Sequence, residues 1–167
     1  MILKKTDKKT EESQEAGTWF SERLLGKAGF LLNKAAQKVR DAYEAQLSPL
    51  GLTGKHYGVL AVLEEKGSVT QHEIGKCVYI DRTTMVSVID DLEKLGLVER
   101  KEHPTDRRSH AIYMTVKGKE TLPKAHQLGV SVEKRFLECF SAKEQKELIK
   151  LLRMLVVTHY AVTKEKV

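Results

Sequence analysis

The sequence is poor in several residue types, and each scarcity excludes a class of protein. Aromatic residues make up only 6% of the 167 residues, which argues against a platform on which single-stranded bases stack. Three prolines exclude a polyproline or collagen-like chain. No apolar run approaches the roughly 20 residues that a membrane-spanning helix needs, and the hydrophilic N-terminus lacks the apolar segment of a secretory signal. We therefore expect no membrane partner.

Cysteine and histidine are also few and widely spaced. The two cysteines, Cys77 and Cys139, form neither a CxxC motif nor a metal-binding spacing, which is typical of proteins in a reducing cytoplasm. We therefore expect a cytoplasmic location, with Cys77 packed as a small apolar side chain and a redox role for Cys139 left open. The six histidines include no pair at the spacing of helical metal ligands, so we expect neither a metal centre nor a cofactor.

The balance of the remaining residues is that of an ordinary globular domain. Hydrophobic residues make up 41% and charged residues 31%, and 29 basic against 23 acidic side chains give a net charge of +6. This charge is compatible with a polyanionic partner but does not establish one. The sequence contains no glycine-rich nucleotide fingerprint after a strand and no nucleophile–base–acid set, so we do not expect an enzyme.

Hydrophobic periodicity predicts long helices at both ends of the chain. Residues 1–17 are almost wholly polar and predict a flexible tail. From Trp19 to Leu47 the apolar residues recur at three- and four-residue spacing, which predicts one amphipathic helix. Near the C-terminus, Thr115 is a candidate N-cap for a helix that continues to about Phe140.

Two local signals refine the prediction for the C-terminal region. Pro123 should either bend the helix that follows Thr115 or mark its true start. Ser141 and Glu144 form a capping box, which predicts that a last helix begins there.

The central segment contains three closely spaced helix starts. Thr53 is a candidate N-cap for a helix that ends at a glycine. Thr70 and Glu73 form a capping box for a short helix, and Asp81 caps a longer helix that ends at Gly96. A short helix, a tight turn and a longer helix are typical of a helix-turn-helix.

The longer helix is predicted to have one apolar and one polar face. At about 100° per residue, the buried side chains are expected to be Met85, Val88, Ile89, Leu92 and Leu95. The opposite face carries Thr83, Ser87, Asp90 and Lys94, with Thr84 and Val86 beside it and Arg82 at the helix start. Short hydroxyl side chains can approach base edges or phosphates, although the same residues could simply cover a solvent-exposed helix.

A β-hairpin with a basic turn is predicted after Gly96. Two short strands, 97–102 and 111–115, flank a turn that contains Pro104 and Asp106. Arg107 and Arg108 in this turn are long enough to enter a minor groove, and Asp106 could orient one of them. Two arginines in a turn are often ordinary surface, but beside a helix-turn-helix they form a wing.

These segments together resemble a known family. LTGKHYGVL, followed by TQHEIGKCVYIDRTTMVSVIDDLEKLGLVERKEHPTDRRSHAIYMTVKG, is similar to the winged helix-turn-helix of the MarR family of bacterial transcriptional regulators. The family's wing pattern is matched by Pro104, Asp106, Arg108, Thr115 and Gly118, with Met114 in place of a leucine. LEKLGLVER, residues 92–100, matches the exit from the recognition helix. His56 stands where the family commonly has glutamine.

The resemblance extends from about residue 18 to the end, and it implies a mainly α fold with a small β-hairpin. It implies a homodimer in which residues 18–51 and 119–167 form the dimerisation helices and 52–118 the winged helix-turn-helix. Each subunit would present one recognition helix to a pseudo-palindromic operator in double-stranded DNA. The resemblance implies that Arg108 enters the minor groove and is held by Asp106. It also implies that a set of polar residues contacts the major groove and its phosphates, namely Thr70, Gln71, Thr83, Thr84 and Ser87.

Members of the family usually release DNA when a small aromatic or anionic effector binds between the dimerisation helices and the winged domain. The candidate residues for such a site are Phe30, Arg40, Tyr43, His56 and Tyr57. An arginine or a histidine near aromatic rings could hold a carboxylate and a ring. The same residues could equally be ordinary core and surface positions.

The sequence therefore predicts a sequence-specific DNA-binding regulator, in the form of a ligand-responsive homodimeric repressor. The alternative is a winged-helix interaction or architectural module that binds DNA without reading its sequence. The two differ in their preference between a specific and a random duplex.

Overall fold

The fold is described from a computed structural model that covers residues 21–102 and 110–164, with side chains described up to residue 158. The chain divides into two compact units, one that ends at Ala42 and one that begins at Tyr43. The predicted fold class, mainly helical with a small β component, is confirmed. In chain order the described elements are α1 (Glu22–Leu25), α2 (Ala28–Leu47), a 3-10 turn (Ser48–Leu50), α3 (Gly54–Lys66), β1 (Val69–Thr70), α4 (Gln71–Val78), α5 (Arg82–Lys94), β2 (Val98–Glu102), β3 (His110–Met114), α6 (Val116–Leu137) and α7 (Ala142–Lys164).

The predicted uninterrupted helix from Trp19 to Leu47 is wrong at one point, because the helix is broken after Leu25. Gly26 closes α1 with its backbone N–H bonded to the carbonyl of Glu22, and α2 begins two residues later. Glycine costs about 1 kcal/mol relative to alanine inside a helix, which favours a break there. The apolar period continues across the break, so the pattern alone did not reveal it. The predicted flexible tail, residues 1–17, lies outside the described residues, as does Trp19.

All three predicted helix starts of the central segment are confirmed by their caps. The Thr53 hydroxyl accepts a hydrogen bond from the backbone N–H of His56 at 3.2 Å. The Glu73 carboxylate accepts from the Thr70 backbone N–H at 2.8 Å, which closes the predicted capping box. The Asp81 carboxylate accepts from the backbone N–H three residues later at 2.9 Å. Each cap satisfies an N–H group that has no partner inside its helix.

The predicted hairpin is part of a three-stranded antiparallel sheet with the order β1-β3-β2. The β2–β3 pairing runs from Val98 opposite Met114 to Glu102 opposite His110. β1 consists of two residues and adds to the other edge of β3, with Val69 opposite Ile112. Two residues are too few to show a strand period, which is why the sequence did not predict β1.

The two C-terminal helices begin where the sequence predicted. Thr115 caps α6 by accepting a hydrogen bond from the N–H of Gly118 at 3.1 Å, and Ser141 and Glu144 form the predicted capping box of α7. α6 ends at Leu137 rather than near Phe140. Pro123 lies inside α6 and does not start it. None of the described helices is both long and apolar enough to cross a membrane.

The core belongs to the second unit and joins α3, α4, α5 and α6 with the sheet. Its fully buried side chains include Leu47, Leu60, Leu63, Ile74, Ile89, Ile112 and Leu122. The predicted apolar face of α5 is confirmed for Met85, Val88, Ile89 and Leu92, whereas Leu95 is only partly buried. Burying this face is the main force that holds α5 in place and leaves its opposite face outward.

Candidate nucleic-acid interface

The outward face of α5 carries most of the site residues predicted on this helix. Arg82, Thr83 and Ser87 are exposed, and Thr84 is half-buried. All four lie in the N-terminal half of the helix, directly after the Asp81 cap. A hydrogen bond from the Thr84 side chain, followed by bonds from the backbone of Thr84 and Thr83, lowers the pKa of the Asp81 carboxyl. The cap therefore stays ionised and keeps the start of the helix ordered.

Thr70 and Gln71 lie where β1 passes into α4. Thr70 caps this helix, and its hydroxyl is 2.7 Å from the Glu73 carboxylate, to which it donates. Its side chain therefore already has a structural partner. Gln71 is the first residue of α4 and is half-buried.

A cavity of about 800 Å³ lies between α4, the start of α5 and the strands β2 and β3. We call it the basic groove. It brings together three of the predicted DNA-contacting residues, Thr70, Gln71 and Arg82. Its other lining residues are His72, Gly75, Lys76, Ile80, Met85, Val86, Arg100, His110 and Ile112. Five of its lining side chains can carry positive charge and none is a carboxylate, so the groove suits an anion.

Sequence reasoning missed His72, Lys76 and His110 as members of this surface. His72 and Lys76 are four residues apart on α4 and therefore share one face of that helix. This spacing is visible in the sequence and could have indicated that the two side chains belong to one surface. His110 begins β3. It reaches the groove only because the strand folds back onto the helix pair, which no local pattern indicates.

Arg100 ties the base of the wing to α5. Its guanidinium forms an ion pair with Asp90 at 2.6 Å and a second one with Glu93. Glu93 also accepts the backbone N–H of Arg100 at 2.9 Å. Lys101, the next residue of β2, pairs with Glu99 at 2.6 Å. The positive charge of Arg100 is thus balanced by two carboxylates of α5, which hold β2 against that helix.

The turn of the wing is not among the described residues. Asp106, Arg107 and Arg108 all lie in residues 103–109, so their predicted roles stay predictions. The strands on both sides of the turn are paired up to Glu102 and His110.

The predicted effector residues are divided between the two units. Phe30 and Arg40 lie on the part of α2 that belongs to the first unit, where the Lys34 ammonium is 6.0 Å from the Phe30 ring and Arg40 is exposed. Tyr43, His56 and Tyr57 belong to the second unit.

Within the second unit, Tyr43 and Tyr57 form part of a polar aromatic cluster. Their rings stack with centroids 6.0 Å apart. The Tyr57 hydroxyl is 2.9 Å from Nδ1 of His126, whose Nε2 is 2.8 Å from the Glu64 carboxylate. A carboxylate can only accept, so Nε2 of His126 donates to Glu64. The imidazole thus links α3 to α6.

Acidic neighbours and burial both act on these tyrosines. The Tyr43 hydroxyl donates to Glu133 at 3.1 Å. Burial, and then the charge of Glu133, raises the pKa of Tyr43, and burial together with Glu64 and Glu133 raises the pKa of Tyr57. Both phenols therefore stay neutral at physiological pH. Glu133 and His126 were not among the predicted residues, because only the packing of α3 on α6 brings them to the tyrosines.

His56 has a structural partner. Its Nδ1 accepts the backbone N–H of Thr53 at 3.2 Å, so the imidazole completes the capping box of α3. The side chain is buried, and burial lowers its pKa. The neutral form, with an acceptor at Nδ1, is the one that the cap requires.

The cysteines are both exposed. The expectation that Cys77 is packed is therefore wrong: only Ile74 is fully buried on the short helix α4, and Val78, one turn later, is half-buried. Cys139 follows the end of α6 and is exposed as well, and its redox role stays open. Among the residues that the structure describes, no group of three His, Cys, Asp or Glu side chains could hold a metal ion.

Sequence comparison identifies relatives of this chain. A sequence model described as the MarR family matches residues 50–109, the winged segment. A protein from Thauera aromatica, named as a transcriptional regulatory protein for the hcr operon, is 32% identical over 133 residues, which cover 79% of this chain and 80% of that protein.

Solved structures agree with these relatives. The transcriptional repressor CouR, bound to a 23-mer DNA duplex, superimposes with a TM-score of 0.76 at 30% identity and covers 81% of this chain and 96% of its own. A variant of MarR from E. coli, complexed with operator DNA, superimposes with a TM-score of 0.71 at 27% identity and covers 76% and 91% of the two chains. The α5 face, the sheet and these relatives lead to one conclusion: the chain belongs to the MarR family and is a DNA-binding transcriptional regulator of the MarR type.

Proposed function

We propose that this protein is a homodimeric repressor that binds a pseudo-palindromic operator and releases it when a small aromatic or anionic ligand binds. The observation that carries operator reading is the outer face of α5, where Arg82, Thr83 and Ser87 are exposed while the opposite face is anchored in the core. Short polar side chains on a rigid helix can reach both base edges and phosphates. In this proposal residues 52–118 read the DNA.

The wing completes the DNA-reading surface. Arg107 and Arg108 follow β2 in the sequence, and that strand is held to α5 by Arg100. We assign Arg108 to the minor groove, with Asp106 as the residue that orients it. An arginine in a narrow minor groove gains from the enhanced negative potential there.

Homodimerisation is supported by the apolar surface of α7. Six of its apolar side chains are 42% to 60% exposed, namely Ile149, Leu151, Met154, Leu155, Val156 and Val157. So much apolar surface is unfavourable in water, and a second copy of the chain would cover it. Residues 18–51 and 119–167 then serve dimerisation. A two-fold dimer presents two α5 helices, and its operator mirrors that symmetry.

Effector control is supported by the polar aromatic cluster. Tyr43, Tyr57 and His126 offer aromatic faces beside titratable groups, and they lie on α2, α3 and α6. In the proposal they act with His56 to receive the ligand, whereas the roles of Phe30 and Arg40 stay predictions from the sequence. Substitution of Tyr57 by phenylalanine tests this role, because it keeps the ring and removes the hydroxyl that bonds to His126. If the proposal is correct, this variant needs more ligand for release but keeps its DNA affinity.

The experiment that tests the whole proposal is selection of bound duplexes from random DNA by the intact protein. A repressor of this kind enriches one inverted repeat, with half-sites about one helical turn apart. Repeating the binding assay with a panel of phenolic carboxylates tests release. Equal affinity for the selected and the random duplex, with strong salt dependence, would instead identify an architectural module.

A further inference from the structure

We propose that the basic groove binds the phosphodiester backbone of the DNA and takes up protons at His72 and His110 as it does so, so that DNA affinity rises as the pH falls. The inference rests on the proposed operator binding. It adds a regulatory property, coupling of DNA occupancy to pH, and it adds contact residues that the outer face of α5 does not include.

Four elements supply the basic side chains of the groove, and its lining contains no carboxylate. His72 and Lys76 come from α4, Arg82 from the first turn of α5, and His110 from the start of β3. All four side chains are exposed, so a large polyanion can reach them. Arg100 from β2 is also in the lining, although its charge is shared with two carboxylates.

The carboxylates on the surrounding elements are separate from the lining. On α4, Glu73 is bonded to Thr70, and the Asp81 carboxylate caps α5. On α5, Asp90 and Glu93 are the partners of Arg100.

On the strands, Glu102 of β2 stands opposite His110 in the sheet register, and Lys101 pairs with Glu99. Glu102 is therefore the one acidic neighbour, among the described residues, that pairs with a groove histidine in the sheet register. It lies outside the lining, so the groove surface itself carries no carboxylate.

The position of the groove fits the sugar–phosphate backbone. It lies between the start of α5 and the two strands of the wing. When a recognition helix occupies a major groove and a wing the adjacent minor groove, the strand that separates the two grooves runs between them. Its phosphates are then the anions closest to the groove. Side-chain contacts to phosphates position a protein on the duplex.

The protonation step follows from the chemistry of imidazole. Histidine side chains change charge between about pH 5 and 8, and a nearby anion favours the charged form. The complex then holds more protons than the free protein, so by linkage lower pH must strengthen binding. The gain in DNA affinity is complete at the acidic end of this pH range and is lost as the pH rises. We expect each of the two histidines to change the DNA affinity about fivefold between pH 6 and 8.

The test measures affinity for the duplex recovered by selection, labelled with a fluorophore, at constant salt and at pH 6 and 8. We expect the wild-type protein to bind about 25-fold more tightly at pH 6, from two fivefold effects. The double variant His72→Gln, His110→Gln should bind within about threefold at the two pH values. Lys134→Gln is the control, because Lys134 is exposed on α6 and lies outside the groove lining; it should keep the wild-type ratio.

Calorimetry in two buffers with different ionisation enthalpies counts the protons directly. Wild-type protein should take up protons on binding DNA, and the double variant should take up fewer. The single variant Lys76→Gln should lower the slope of log affinity against log salt by about 0.9 without changing the pH ratio, whereas Lys94→Gln, at the far end of α5, should leave both unchanged.

A double variant that keeps both the wild-type pH ratio and the wild-type proton uptake overturns the inference and leaves operator binding intact. Failure of the wild-type protein to bind any duplex at either pH overturns the proposed function, and the inference with it. The glutamines replace exposed side chains, and thermal unfolding of the variants verifies that they fold.

Discussion

Several side chains in this protein have a structural role, because they cap the start of a helix. His56 is the clearest case, because a buried imidazole accepts the backbone N–H that a glutamine amide could also accept. Replacement by alanine removes this acceptor and leaves a small cavity. We expect His56→Ala to lower the free energy of unfolding by about 2 kcal/mol at pH 7.5, measured by urea denaturation, whereas His56→Gln should retain most of the stability.

The same residue gives the stability a pH dependence. Burial lowers the pKa of His56 in the folded state, so the unfolded chain binds a proton first as the pH falls. Stability is therefore complete above about pH 6.5 and is lost as the pH falls toward the lowered folded-state value. We expect wild-type protein to lose more stability than His56→Gln between pH 7.5 and 5.5. Equal losses in the two proteins would show that His56 does not titrate in this way.

Gly118 is a position where no side chain fits. A Cβ there would overlap the carbonyl oxygen of Leu97 and the side chain of Met114. We expect Gly118→Ala to destabilise the fold by about 3 kcal/mol, as overpacking does in cores. The matched control is Gly29→Ala on α2, where a Cβ would meet no atom within 4 Å. This control should stabilise the fold by up to about 1 kcal/mol. Thermal unfolding shows whether each variant is less or more stable than the wild-type protein.

The arginine of the wing provides a residue-scale test of DNA reading. We expect Arg108→Ala to weaken operator binding by about 10-fold to 100-fold, since a groove-reading arginine contributes about 1–3 kcal/mol. Thermal stability and dimerisation should stay at their wild-type values. Arg135→Ala is the matched control, because Arg135 is exposed on α6 and should leave binding unchanged. Full binding by the Arg108 variant would contradict the wing assignment.

At the scale of elements, the helix starts were predictable and the interruptions were not. An N-cap is a short-range interaction between residues three apart, as in Thr70 with Glu73, so both partners are visible in the sequence. The break at Gly26 and the short strand β1 depend instead on competition between local and tertiary contacts. β1 exists because β3 offers an unpaired edge to Val69, and neighbouring residues do not encode that opportunity.

In the candidate site, too, one part was predictable from the sequence and another was not. The outer face of α5 followed from the helix period, since its opposite face is apolar and buried. The basic groove did not, because His72 and His110 are 38 positions apart in the sequence and share a surface only through the fold. The exposed Cys77 was misjudged for a related reason, because the narrow buried face of α4 excludes it.

At the scale of the whole molecule, the net positive charge lies outside the reading segment. Residues 52–118 contain 10 basic and 10 acidic side chains and are neutral overall, so the net charge of +6 resides in the flanking segments. Many of the acidic groups are already paired within the structure, as Asp90 and Glu93 are with Arg100. Placement, rather than total charge, therefore produces the positive surface.

Assembly is the property that α7 makes testable. We expect Met154→Lys to raise the dissociation constant of the dimer at least tenfold, because it places a charge in a surface that the partner would cover; one buried charge costs well over 1.4 kcal/mol. Sedimentation measures the dimer fraction. Lys143→Glu, near the start of the same helix, is the control and should leave the dimer intact. A wild-type chain that sediments as a monomer would contradict the proposed assembly.

The pairing of Arg100 with Asp90 and Glu93 has a consequence for which DNA sequences are preferred. Because these contacts fasten β2 to α5, the distance between the reading helix and the base of the wing is set by the protein before any duplex arrives. The duplex must then adjust its own groove width and curvature to match. Base steps that deform easily cost less to adjust. We therefore expect discrimination at base pairs that no side chain touches, through the stiffness of the DNA itself.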